Sequence, residues 1–155
     1  MDALDSLHMA IALREAEDAA SRDEVPVGAV IIDGDTKEIL ARAGNRVELL
    51  KDPTAHAEMQ AIKKACATLG QKRLDHCDLY VTLEPCAMCA SAIAHAHIRR
   101  VYFGASDQKG GAVENGPRFF DQPTCHHKPD VYGGINESAA TKLLVEFFNK
   151  KRRPG

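Results

Sequence analysis

Two short clusters of metal-binding side chains, His56-Ala57-Glu58 and Pro85-Cys86-Ala87-Met88-Cys89, each stand at the start of a segment that reads as a helix. The first segment, 55–69, carries Met59, Ile62, Ala65, Cys66 and Leu69 at helical spacing, with Thr54 as its N-cap and Gly70 as its C-terminal stop. The second is Ala-rich, opens at the Glu84-Pro85 step and runs from Cys86 to about His97. A fold that uses both clusters must set two helix N-termini side by side. Cys86 and Cys89, at i and i+3, share one side of their helix, and a helix N-terminus lowers thiol pKa values so that thiolates are available to a metal.

The segments around these clusters alternate between helical and strand-like patterns, which predicts an α/β domain. A first helix is expected from about Ser6 to Ser21, with Leu7, Ala10, Ile11, Ala16 and Ala20 on its apolar stripe. Val27 to Ile32 is a short apolar run ended by Asp33-Gly34-Asp35, and Ile39 to Ala43 pairs with it as a hairpin. Residues 46–54 read as a loop, Leu79 to Leu83 as a buried strand and Val101 to Gly104 as another. The stretch 105–130, rich in Gly, Pro and His, is too long for a plain connector, and such loops carry function or a partner contact. Asn136 or Ser138 starts a last helix, with Leu143, Leu144, Phe147 and Phe148 as its core-facing stripe.

At 155 residues the chain suits one domain, which would bury roughly 68–70% of its unfolded surface without disulfide staples. Its apolar runs are far shorter than a membrane span, and the acidic start Met1-Asp2-Ala3-Leu4-Asp5 has neither the basic nor the apolar region of a secretory signal. A cytoplasmic address is therefore expected. Five cysteines, an odd number with two of them spaced Cys-x-x-Cys, speak against a disulfide framework and for a reducing compartment. The net charge of −2 argues against indiscriminate coating of nucleic acid but leaves room for a local basic patch. Lys150-Lys151-Arg152-Arg153 form one such run; by charge alone it complements the negative end of the last helix dipole and is otherwise solvated.

An imidazole and two thiolates make three zinc ligands, and Glu58 is a carboxylate beside them that need not coordinate. A structural zinc site closes its tetrahedron with four protein ligands, whereas three leave a position for a water whose pKa the metal lowers to roughly 7. Glu58 can deprotonate that water. The resulting hydroxide can attack an aromatic carbon bearing an exocyclic amine while Glu58 carries protons to the ring nitrogen and to the departing amine. Taken singly the parts are common: a His-x-Glu triplet is usually surface helix, and Cys-x-x-Cys serves equally as a redox pair or half a zinc ribbon. Together, in this order and with Pro85 ahead of the first cysteine, they resemble the zinc-dependent nucleobase deaminases of the cytidine and deoxycytidylate deaminase superfamily.

The resemblance extends over nearly the whole chain. Glu24-Val25-Pro26-Val27-Gly28-Ala29-Val30, Asn45-Arg46, Asp52-Pro53-Thr54-Ala55-His56-Ala57-Glu58 and Leu79-Tyr80-Val81-Thr82-Leu83-Glu84-Pro85-Cys86 are similar to the bacterial tRNA-specific adenosine deaminases. That family implies a three-layer α/β/α sandwich around a mixed five-stranded sheet. It implies a homodimer with one Zn²⁺ per subunit, an anticodon stem-loop as partner, and hydrolytic conversion of the wobble adenosine to inosine by attack at adenine C6. By the same resemblance His56, Cys86 and Cys89 hold the zinc, Glu58 shuttles protons, and Asn45 hydrogen-bonds the flipped nucleotide, with Val27 also at the substrate. Asn45 by itself reads as a turn former at a strand end. Asp107 and Lys109 match a loop that touches the anticodon backbone, and Phe147, Phe148, Lys150, Lys151, Arg152 and Arg153 match the RNA-proximal end, where phosphate contacts supply affinity.

The chain departs from the family pattern at Lys109-Gly110-Gly111-Ala112, at Pro117-Arg118-Phe119-Phe120 and at Cys125-His126-His127. Adjacent residues rarely converge on one ion, so the last trio reads as a surface turn near RNA, where imidazoles stack on unpaired bases, and not as a second metal site. Cys66 and Cys77 read as packing residues. Two other functions share part of the pattern. A deaminase of free cytosine, guanine or cytidine has the same ligands, and a non-catalytic zinc module would dispense with Glu58 and want a fourth protein ligand. The Val25-Pro26-Val27 lead-in, the 105–127 loop and the basic C-terminus favour RNA as the substrate.

Overall fold

The computed structural model describes residues 3–152, so Arg153 of the basic run lies outside the described residues. In chain order the elements are α1 (Ala3–Ser21), β1 (Gly28–Asp33), β2 (Ile39–Gly44), α2 (Val47–Leu50), α3 (Ala57–Leu69), β3 (Cys77–Leu83), α4 (Ala87–His95), β4 (Arg100–Ala105), a 3₁₀ turn at Phe119–Asp121, β5 (Asp130–Tyr132) and α5 (Glu137–Arg152). The strands form one sheet in the order β2-β1-β3-β4-β5. β1 is antiparallel to both β2 and β3, whereas β3, β4 and β5 are parallel, so the expected mixed five-stranded sheet is present.

Helices cover both faces, and the strands are apolar on both faces for that reason. In β1, Ala29 and Ile31 enter the core under α3 and α4, while Val30 and Ile32 enter the core under α1 and α5. In β3, Leu79 and Val81 join the first core and Tyr80 the second, as strand alternation requires. The result is the three-layer α/β/α sandwich.

The stripe expected for α1 is rotated. His8, Met9, Ala12, Leu13, Ala16 and Ala19 are the buried residues, and Leu7 is 59% exposed. Close approach shapes the middle of that face: a Cβ at Gly28 would strike the Ala12 carbonyl and crowd Ala16, so alanines stand at 12 and 16, with Met9 and Leu13 buried on the same helix. Similarly, α5 buries only Ala140 fully, with Leu143 and Leu144 partly buried against the sheet. Phe147 and Phe148 lie beyond that contact and are not the core residues their spacing suggested.

Two shorter differences concern α3 and the loop before it. Thr54 does not cap α3; its N–H and hydroxyl both donate to Asp52 Oδ1, at 2.8 and 2.7 Å, and the N-cap is His56. The expected loop 46–54 contains the single-turn helix α2. Of the 105–130 stretch, Ala105 ends β4 and Asp130 opens β5; between them the chain is irregular apart from its 3₁₀ turn, and it buries Ala112, Val113 and Phe120.

Candidate active site

At one end of the sheet β1 begins while β3 and β4 finish, and α3 and α4 both start there. Carboxyl ends of parallel strands are where open α/β sheets place their ligands. His56 is the N-cap of α3 and Cys86 the N-cap of α4, and neither side chain makes the capping bond usual at that position. Both turn toward each other instead. Cys89, one turn into α4, is buried and completes the group.

Nδ1 of His56 lies 3.7 Å from Cys86 Sγ and 3.6 Å from Cys89 Sγ. A tetrahedral zinc with Zn–S of about 2.3 Å and Zn–N of about 2.0–2.1 Å sets sulfur and nitrogen about 3.6 Å apart, so the three ligand atoms already describe edges of that tetrahedron. The donor set fits as well, since the Cys86 thiol is pulled down to about 4, chiefly by the S–H of Cys89 donating to it and further, against burial, by His56. The same shared proton and burial push Cys89 up, and the bond to Cys86 raises His56. Among the described residues no other group of three His, Cys, Asp or Glu ligand atoms comes together in this way, Cys125, His126 and His127 included. That turn stands at the far end of α4 from Cys86, with the His97 and His127 rings 4.8 Å apart.

Glu58 sits in the first turn of α3, 4% exposed, and burial pushes its carboxyl up to about 7. It lines a cleft of about 860 Å³ together with His56 and Cys86. That volume lies within the roughly 300–1,000 Å³ of small-ligand sites. Val27, Asn45, Asp107, Phe147, Phe148 and Lys151 also face the cleft, so most of the residues singled out in the sequence meet there. Lys109, Lys150 and Arg152 do not line it and are exposed.

Three of these side chains are already engaged. Asn45 Oδ1 accepts the N–H of Ala57 at 2.9 Å, and its Nδ2 donates to the Val25 carbonyl at 3.0 Å. An Asn amide has two N–H bonds and two oxygen lone pairs, so each end keeps one position for a ligand. Asp107 Oδ1 accepts the N–H groups of Lys109 and Gly110, at 3.1 and 2.9 Å, and shapes its own loop. Lys151 pairs with Asp23 and lies 5.6 Å from the centroid of the Phe147 ring.

Sequence reasoning missed Glu24 and Glu84, both of which line the cleft although they are 1% and 2% exposed. The available signal was position: Glu84 stands between a buried strand run and Pro85, and Glu24 just ahead of Val25-Pro26-Val27, where a charge is out of place unless something binds it.

The sandwich, the three-ligand cluster and the buried carboxylate beside it define a zinc-binding deaminase. The family described as cytidine and deoxycytidylate deaminase zinc-binding region matches residues 2–105. A tRNA-specific adenosine deaminase of Agrobacterium fabrum is 59% identical over 145 residues, 93% of each chain. A solved structure from a study of A-to-I editing by tRNA:A34 deaminases at the wobble position superposes with a TM-score of 0.86 at 58% identity, covering 90% of this chain and 99% of that one. The guanine deaminase of Bacillus subtilis superposes with a TM-score of 0.64 at 29% identity, covering 100% of this chain and 97% of that one. The chain belongs to the tRNA-specific adenosine deaminase family.

Proposed function

We propose that this protein hydrolyses the wobble adenosine of a tRNA anticodon to inosine, releasing ammonia. The observation that carries the reading is the buried Glu58 beside His56, Cys86 and Cys89 at the base of a cleft that continues onto Phe147, Phe148 and Lys151. A free base would be covered by the deep part of such a cleft. The aromatic and basic wall suits an unpaired base with its phosphates, because rings stack on bases and ammonium groups contact phosphate.

His56 Nδ1, Cys86 Sγ and Cys89 Sγ would hold one zinc per subunit, and the bound metal supplies acidification of a water to a pKa of roughly 7. Glu58 takes a proton from the attacking water and delivers it to adenine N1. As the C6–N bond breaks it passes the second water proton to the leaving amine, so that ammonia departs and the water oxygen stays on C6 as the carbonyl. Burial raises the carboxyl from the ordinary glutamate range, which suits a group that must hold a proton between taking it and passing it on. Asn45, with one free position at each end of its amide, is placed to bond the flipped nucleotide, and Val27 offers it an apolar wall.

The same reading takes the whole chain as one domain, a homodimer as the working form, and the cytoplasm as its place. The tRNA-specific relatives and five free cysteines support it, and no described helix is long and apolar enough to cross a membrane. Asp107, Lys109, Lys150, Lys151, Arg152 and Arg153 are assigned to the RNA side of the molecule.

The test is ammonia release by zinc-loaded protein from an anticodon stem-loop with adenosine at the wobble position, run beside free adenosine, cytosine, cytidine and guanine. Release from the stem-loop alone is expected. Release from a free base or nucleoside alone would assign the small-molecule activity instead.

A further inference from the structure

The two walls of the cleft are fastened by the same device. On one side α2 is a single turn of four residues, too short to persist by itself, and its N-cap Arg46 makes no side-chain capping bond. The N–H groups that a cap would satisfy point to Glu24: Glu48 N donates to Oε1 at 2.9 Å and Leu49 N to Oε2 at 2.8 Å. The carboxylate comes from more than twenty residues earlier in the chain, just after α1.

On the other side the loop 106–115 has no regular structure of its own. Six donors from it converge on Glu84. Oε1 accepts Ser106 Oγ at 3.3 Å, Asp107 N at 3.0 Å and Asn115 Nδ2 at 2.7 Å; Oε2 accepts the backbone N–H groups of Val113, Glu114 and Asn115 at 3.1, 2.9 and 3.0 Å. Ala112 N adds a bond to the Pro85 carbonyl at 2.9 Å. Glu84 stands two residues before Cys86, so the loop is registered directly to the start of α4. Gly111 makes room for the carboxylate, because a Cβ there would sit 2.6 Å from Oε2.

Neither Glu24 nor Glu84 forms an ion pair among the described residues. A buried carboxylate satisfied wholly by N–H and O–H donors is a directional anchor, since each oxygen can only accept. An amide in its place would turn an NH₂ toward N–H donors. At Glu84 each oxygen serves three donors, so either orientation of a glutamine would set its nitrogen against three of them.

We propose that Glu24 and Glu84 are a pair of positioning residues that hold the α2 wall and the 106–115 wall at the spacing that admits the RNA substrate. They touch no reacting atom; they act through Glu48, Asp107 and Gly110, which line the cleft. The proposal rests on the RNA reading for its substrate, but not for its geometry.

Two measurements test it. The first is hydrogen exchange by mass spectrometry on the zinc-loaded protein. Glu84→Gln speeds exchange in peptides covering 107 and 113–115, Glu24→Gln speeds it at 48–49, and neither affects the other wall. The second is steady-state kinetics on the anticodon stem-loop. Each Gln variant raises KM by about tenfold or more and changes kcat less than KM, as expected when binding away from the reacting centre is lost. Zinc content stays at the wild-type value. Glu84→Asp, which keeps an acceptor-only group, recovers part of the loss; a role in filling space would instead favour the isosteric Gln. Should Glu84→Gln fail to fold, Gly111→Ala attacks the same contact from the loop and is expected to give the same KM shift.

Wild-type exchange and wild-type KM in the Gln variants would overturn the proposal. Faster exchange with no stem-loop turnover by the wild-type protein would leave the anchors standing and remove the RNA reading.

Discussion

Asn45 Oδ1 accepts the amide hydrogen of Ala57 at 2.9 Å, so the residue between His56 and Glu58 is suspended from the end of β2. The bond supplies the α3 N-terminus with an acceptor that its N-cap, whose ring faces the metal cluster, does not provide. Asn45→Ala therefore orphans a buried N–H and frees the first turn of α3. A loss of about 1–3 kcal/mol in denaturant stability is expected from the unsatisfied donor. Zinc affinity should fall about tenfold or more, as when other outer partners of a metal ligand are removed. Competition with a chromophoric chelator measures it, and an unchanged affinity would show that α3 holds His56 in place without Asn45.

Glu58→Gln keeps the size of the side chain and removes its ability to accept and return a proton. Turnover should fall by about 10²–10⁴-fold while zinc content stays that of the wild type. Metal analysis and single-turnover assays on the same preparation decide it. A wild-type rate would move the proton shuttle to another group, and lost zinc would make Glu58 a ligand.

Lys151 stands against Asp23 and the Phe147 ring at the rim of the cleft. If it contacts phosphate, Lys151→Ala weakens stem-loop binding by a similar factor for every loop sequence. It also lowers the slope of log affinity against log salt by about one. Filter binding across a salt series reads both quantities. A change confined to one loop sequence would assign Lys151 to base reading.

At the opposite end of the sheet, Asp33 Oδ1 accepts the N–H groups of Asp35 and Thr36 at 2.8 and 2.9 Å and closes the turn between β1 and β2. The backbone donor of Thr36, then that of Asp35, holds its carboxyl below the ordinary aspartate range. A group whose folded pKa is depressed stabilises the fold above its unfolded pKa, and that contribution disappears as the pH falls through the folded value. The stability difference between the wild type and Asp33→Asn should therefore be constant near neutrality and shrink below the ordinary aspartate pKa. Urea melts of both proteins at several pH values check this, and a difference that grows in acid would contradict it.

The gathering of His56, Cys86, Cys89 and Glu58 was legible in the sequence because these residues are marked by type and stand at helix starts that proline and apolar periodicity announce. The mixed five-stranded sheet followed from the family likeness, not from periodicity. What stayed hidden depends on backbone. Glu24 and Glu84 find partners in N–H groups that every residue but proline carries, so nothing in residues 48, 49, 113 or 114 marks them as donors. The stripe of α1 was misplaced because half of its buried residues are alanines, two of them at the close approach to Gly28, and alanine carries little apolar signal. Thr54 looked like a helix cap, but Asp52, two residues earlier, took its hydroxyl first. Phe147 and Phe148 had core spacing, yet the sheet ends before it reaches them.

The most direct measurement is position-resolved nucleoside analysis of an anticodon stem-loop after incubation with the zinc-loaded protein, with adenosines present both at the wobble position and elsewhere in the loop. Inosine at the wobble position and at no other adenosine is the predicted result. An unmodified stem-loop from a preparation that releases ammonia from free guanine, cytosine or cytidine would contradict it.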